Sequence, residues 1–220
     1  MSFERIVEPL AIPINASHMS YSPNLLARPW NVFFLVCFVA FLAIRGVYAR
    51  GTRRNVKIHR QVDALETALL LLVIPTSLIL PLLYLFTPLL AVADYRLPDW
   101  IRWCGAGLLL VAMWLFWRSH ADLGKNWSVS LEVREGHQLV TNGVYKWIRH
   151  PMYAAILLWG VAQGLLLENW LAGWSALAPF VVMYVVRTPR EERMMCEYFG
   201  DGYRAYMGRT GRIFPRVNRK

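Results

Sequence analysis

Two polar clusters in an otherwise apolar chain hold the side chains able to do chemistry. The first reads HQLVTNGVYKWIRHPMY over 137–153 and passes straight into an uncharged run, and the second is RTPREE over 187–192. In the first, Arg149 and His150 precede Pro151, a residue suited to the first position of a helix because its missing N–H would be unpaired there anyway. A helix N-terminus presents free N–H groups and partial positive charge, so it attracts carboxylates and phosphates. Gly143 permits a close backbone approach, and Tyr145, Trp147 and Tyr153 offer faces on which a flat ring can stack. The segment suits a ligand with one acidic group and a planar ring. Taken alone, it better suits a role in which Arg149 binds a lipid phosphate and His150 caps a turn.

The second cluster adds complementary groups. Arg187 can grip an anion through its planar fork of donors. Glu191 and Glu192 are adjacent carboxylates. One reading makes them the solvated first turn of a tail helix, where acids are favoured by the helix dipole. The other has one of them accept hydrogen bonds from ribose hydroxyls or an amino group, or offset a cationic ligand centre.

The elements that must position these clusters are membrane helices. The chain has 220 residues, 56% hydrophobic and 17% charged, with ten Trp, which is more apolar than soluble domains are. Residues 29–44, 67–93, 103–117, 151–167 and 169–186 contain no Asp, Glu, Lys or Arg. About 20 apolar residues cross a bilayer, and the shorter runs are extended by flanking arginines that snorkel to the interface. Five spans in one all-α membrane domain are expected over 1–220, with helices one to three in 1–117 and the chemical region in 118–220. Pro75, Pro81 and Pro88 in the second run predict a kinked or interrupted helix.

Only Glu168 to Trp170 separates the last two runs, which predicts a tight antiparallel hairpin packed through Gly160, Ala162, Gly164, Ala172, Gly173 and Ala176. Such a hairpin returns both ends to one face and brings His150 beside Arg187. After Pro189 an amphipathic helix with Met194, Met195, Tyr198 and Phe199 on one face is expected. Gly200 suits its C-terminal cap, and a second short helix from Asp201 would carry Tyr203, Tyr206 and Met207.

The net charge of +10 alternates between basic and non-basic connections. By the positive-inside rule the N-terminus lies outside, and the His137 region and the tail are cytoplasmic. The charge serves topology and anionic lipid headgroups and gives no reason to expect nucleic acid. The N-terminal 28 residues lack a compact apolar h-region, so the first span is expected to act as the insertion signal. Cys37, Cys104 and Cys196 form neither a disulfide framework nor a zinc spacing, and no metal is expected.

The order LGKNWS (123–128), HxLVxxGxYxxxRHPxY (137–153), RxxxEE (187–192) and FGxxYxxY (199–206) resembles the isoprenylcysteine carboxyl methyltransferase family and its phospholipid-methyltransferase-like relatives. The likeness covers about half the chain, roughly 100–216, and the first two spans carry none of it. It implies an integral-membrane methyltransferase that uses S-adenosylmethionine without a Rossmann domain, in keeping with the lack of a strand–GxGxxG–helix unit. Carried over residue by residue, the cofactor would contact His137, Gln138, Leu139, Val140, Tyr145, His150, Pro151, Met152, Tyr153 and Glu191. Arg187 would face the substrate, and the tail would close over the cofactor. A carboxylate acceptor needs no base, whereas a thiol or amine would need to lose a proton to His150 or Glu192. A lipophilic acceptor would arrive laterally from the bilayer. Pro189-Arg190 departs from the family pattern and is expected to fix where the tail helix begins. A competing likeness is to sterol-reductase-type enzymes that use NADPH, which share an RHP motif followed by acidic residues with a Cys, here Cys196. The short chain and its five spans weigh against that reading.

Overall fold

In a computed structural model, the structure describes residues 25, 28–52, 57–60, 64–124, 132–134 and 138–216. The uncharged runs become helices. They are α1 (Pro29–Thr52), α2 (Ala64–Phe86), α3 (Asp99–Leu123) and α4 (Pro151–Leu167), then a short α5 (Trp170–Trp174) leading to α6 (Leu177–Phe199), and α7 (Asp201–Arg209). Four segments, α1, α2, α3 and the combined Trp170–Phe199, are long and apolar enough to cross a membrane, and α4 is a shorter apolar helix of 17 residues. Val36, Val39, Leu71, Ile79, Leu110, Val111 and Val185 point outward from these helices. An apolar exterior with every backbone group bonded inside a helix is the arrangement hydrocarbon demands. The protein is an integral, multi-pass membrane protein of all-helical build. One small addition to that build is an antiparallel ribbon, β1 (Lys57–Arg60) with β2 (Glu132–Arg134), which ties the α1–α2 connection to the α3–α4 connection.

The helical path of α2 continues through Pro75 and Pro81, although neither can donate to the carbonyl four residues back, and it ends at Phe86, ahead of Pro88. The Thr87 hydroxyl donates to Leu83 O at 2.7 Å and finishes the last turn. Residues beyond it form a 3-10 turn, Ala91–Ala93.

The hairpin forms as its sequence demands. Glu168 adopts a left-handed conformation (φ 48°) after α4. The Asn169 side chain then accepts from Leu171 N and Ala172 N at 3.0 and 2.8 Å, capping α5. Gly164 faces the Trp174 ring so closely that an added Cβ would collide with it. Buried Gln163 donates to Ala172 O at 2.7 Å. The Ser175 hydroxyl donates to the same carbonyl at 2.8 Å, where the chain breaks between α5 and α6. Pro179 falls within the first turn of α6, where a missing N–H costs nothing.

Pro189 does not start a tail helix. The expectation of a break there is corrected: α6 continues through Pro189 to Phe199. A proline inside a helix costs roughly 3 kcal/mol, and here ion pairs and hydrogen bonds on both sides of it hold the helical path. The consequence is functional. Arg187 and Glu191 stand one helical turn apart on a single rigid element. Gly200 (φ 58°) then turns the chain into α7.

Phe34 and Phe38 of α1 share a buried cluster with Tyr84 and Leu85 of α2 and with Leu109 and Trp159. α1 and α2 make few direct contacts with each other.

Candidate functional site

The bundle holds a cavity of about 350 Å³, lined in part by α1 and α2. Its walls come from α1, α2, Leu123 at the end of α3, residues 138–150, α4, α6 and α7, and they group into two arms. One arm is apolar, with Phe41, Leu42, Val73, Ile74, Leu78, Phe180 and Met183 from three helices, α1, α2 and α6. The other is polar and runs past Gln138, Tyr145, His150 and Glu191 to Met194, Tyr203 and Tyr206. Tyr153, Arg45 and Arg187 also line it.

The two sequence clusters meet on its wall. The Tyr153 hydroxyl donates to Glu191 Oε2 at 2.6 Å. The His150 and Tyr153 rings lie nearly parallel, 5.4 Å apart at 10°. Arg187 is held by a residue the sequence reading did not single out. Its Nη1 lies 3.2 Å from Glu66 Oε1 of α2, and both side chains are buried. Removing two charges from water is costly unless they pair, so this contact fixes both groups.

Gly143 begins the 3-10 turn that carries Tyr145. Its φ is 56°, and a Cβ there would overlap the Asp122 carboxylate. Asp122 accepts from Val144 N at 2.9 Å and pairs with Arg118 at 2.5 Å. The close approach expected of Gly143 is thus to the end of α3. Tyr145 is buried, and the Tyr206 hydroxyl donates to its carbonyl at 2.7 Å. Burial pushes the Tyr206 hydroxyl up to about 12. Burial, and then the charges of Glu191 and Glu192, push Tyr203 up further. These phenols stay neutral donors at any physiological pH.

Glu192 has a different task. It is 4% exposed and does not line the cavity. Arg149 Nε donates to it at 2.6 Å, Arg212 Nη2 donates at 2.7 Å, and His150 Nε2 stands 3.2 Å away. Arg149 also donates to Thr210 O at 2.6 Å, while the backbone N–H groups of Arg149 and His150 donate to Gly211 O and Arg212 O. The carboxylate expected as a possible proton acceptor instead fastens α4, α6 and the tail together.

Gln138, Leu139, Val140, Tyr145, His150, Pro151, Met152, Tyr153, Arg187 and Glu191 all line the one cavity. His137 lies outside the described residues. Trp147 is 61% exposed and turns away from the cavity, so it is not a stacking partner there. The sequence reading also missed Arg45 and Asp122. The signal for Glu66 was present, since a lone acid at the start of a membrane helix marks a function or a partner. Asp122 and Arg45 had no comparable signal. Among the described residues no group of three or more His, Cys, Asp or Glu converges in a metal-ligating arrangement.

Comparison with known proteins bears on this region. Residues 105–197 match the isoprenylcysteine carboxyl methyltransferase (ICMT) family. Protein-S-isoprenylcysteine O-methyltransferase B of Arabidopsis thaliana is 32% identical over 124 residues, covering 54% of this chain and 61% of that protein. The Homo sapiens protein-S-isoprenylcysteine O-methyltransferase is 33% identical over 122 residues, 53% of this chain and 43% of the relative. The chain therefore spans less than two thirds of the length of either. A solved structure of the eukaryotic intramembrane Ras methyltransferase ICMT is 24% identical, with a TM-score of 0.48, covering 69% of this chain and 50% of that one.

Proposed function

Residues 105–197 belong to the isoprenylcysteine carboxyl methyltransferase family, and from that premise we propose that the protein transfers a methyl group from S-adenosylmethionine to a lipophilic acceptor. Isoprenylcysteine-like carboxylate O-methylation is the reaction most resembled. The observation that carries the reading is the two-armed cavity, polar at one end and apolar at the other, lined by both sequence clusters. The working face is read as cytoplasmic, with the N-terminus outside, from the distribution of Lys and Arg.

S-adenosylmethionine, when bound, supplies a methyl group on a sulfonium centre. The polar arm fits such a group chemically. Glu191 is a carboxylate suited to hydroxyls or a cationic centre, and Gln138 offers both donor and acceptor. Leu139, Val140, Pro151 and Met152 supply apolar wall, with Tyr145, Tyr153 and His150 beside them. Tyr153 orients Glu191 through its hydrogen bond, and α7 closes that arm with Tyr203 and Tyr206. Arg187, steadied by Glu66, faces the acceptor.

A carboxylate acceptor would take up that methyl group with no proton to lose, so none of the lining side chains would need to act as a base. Positioning and exclusion of water supply the acceleration, and side chains from α1, α2, α4 and α6 surround the junction. A lipid-borne acceptor would arrive laterally from the bilayer.

Calorimetric titration of the purified protein with S-adenosylhomocysteine and with NADPH tests the reading. Heat is expected with the first and none with the second, and the reverse would support a membrane reductase instead. Methyl transfer from labelled S-adenosylmethionine into prenylcysteine, lipid and small-thiol pools then identifies the acceptor.

A further inference from the structure

Arg45 belongs to α1, outside the stretch that matches the family, and no sequence motif points to it. Its side chain nevertheless lines the same cavity as Arg187, within electrostatic reach of that guanidinium. The two approach from different sides. Arg45 comes from α1, and Arg187 comes from α6 with Glu66 of α2 behind it. Leu42 of α1 and Ile74 of α2 line the same cavity, so Arg45 shares its space with apolar wall as well as with Arg187.

Glu66 offsets the charge of Arg187, so Arg45 adds a second guanidinium to the same low-dielectric space, and an anion there gains a charge-assisted contact from each. We infer that Arg45 and Arg187 together form a seat for the anionic headgroup of the acceptor, and that Arg45 makes the site select acids over neutral lipids. The inference rests on the methyltransferase reading and adds to it a specificity-determining residue from the N-terminal helices.

A consequence follows for turnover. Methylation converts the carboxylate to a neutral ester, which forfeits its charge-assisted bonds to both arginines. The seat therefore holds the substrate acid more tightly than the product ester, which favours product release.

The test uses the full chain in lipid nanodiscs and compares binding of a C15 isoprenoid thioether carboxylic acid with that of its methyl ester. The wild-type protein is expected to bind the acid about tenfold more tightly than the ester, the scale of a hydrogen bond to a charged group. Arg45→Gln should erase most of that preference, Arg45→Lys should keep most of it, and both should bind S-adenosylhomocysteine as the wild type does. An undiminished preference in Arg45→Gln, or no preference in the wild type, overturns the assignment. Absence of S-adenosylhomocysteine binding in the wild type would refute the methyltransferase reading, while the acid–ester comparison would still decide the role of Arg45.

Discussion

Tyr153 and Glu191 are joined by a 2.6 Å hydrogen bond across the cavity. That bond links the first turn of α4 to the far half of α6, the two arms of one hairpin. It makes Glu191 a fixed acceptor, aimed by a phenol that is itself stacked on His150.

Glu191→Gln keeps the shape and removes the charge. On the proposed function, S-adenosylhomocysteine affinity should fall about tenfold, the scale of a charge-assisted hydrogen bond, with the thermal midpoint nearly unchanged. Tyr153→Phe leaves the carboxylate but frees its orientation and should cost less. Calorimetry on both variants checks this. Unchanged affinity in Glu191→Gln would remove Glu191 from the binding site.

Glu192, its neighbour, should behave oppositely. It is buried against Arg149, Arg212 and His150. Deleting one partner of a buried ion pair costs about 3–5 kcal/mol, because the other charge is left stranded. Glu192→Gln should therefore lower the thermal midpoint strongly and loosen the tail, with ligand affinity per folded molecule largely kept. Arg212 is half-exposed, so Arg212→Gln should cost far less. Limited proteolysis of the tail distinguishes the two.

Gly143→Ala should destabilise the site locally. The position combines φ 56° with direct contact on Asp122. A left-handed backbone costs a side chain about 1–2 kcal/mol, and the overlap adds to that. Pairing it with Asp122→Ala should relieve the overlap and leave the backbone term, so the double variant should be less destabilised than additivity requires. Chemical denaturation measures it.

The helices, the hairpin and the meeting of His150 with the 187–192 cluster were legible in the sequence for physical reasons. Uncharged runs of bilayer length can only be buried or lipid-facing, and a three-residue connection leaves two helices no option but to turn back. The path of α6 through Pro189 was not legible. Local propensity says stop, and the contacts that override it come from Glu66, Tyr153 and Arg149, which are remote in sequence. The division of labour between Glu191 and Glu192 was hidden for a related reason. Adjacent residues on a helix point about 100° apart, so one carboxylate faces the cavity while the other faces the tail, and only tertiary packing decides which.

The pair Glu66–Arg187 offers the sharpest test of how the N-terminal helices serve the site. Glu66 is 1% exposed and Arg187 is 7% exposed. Glu66→Gln strands the Arg187 charge and should destabilise the protein by about 3–5 kcal/mol. Glu66→Gln with Arg187→Gln removes both charges and should recover most of that loss, because two neutral amides can bond each other. If the contact only stabilised the fold, the single variant would keep its turnover number per folded molecule. On the proposed function it should not, because an Arg187 without its carboxylate is free to swing away from the acceptor. The turnover number should fall about tenfold or more while S-adenosylhomocysteine affinity holds. Glu66→Asp retains the charge on a shorter arm and should restore part of the rate. A Glu66→Gln enzyme with wild-type turnover would confine α2 to a structural role.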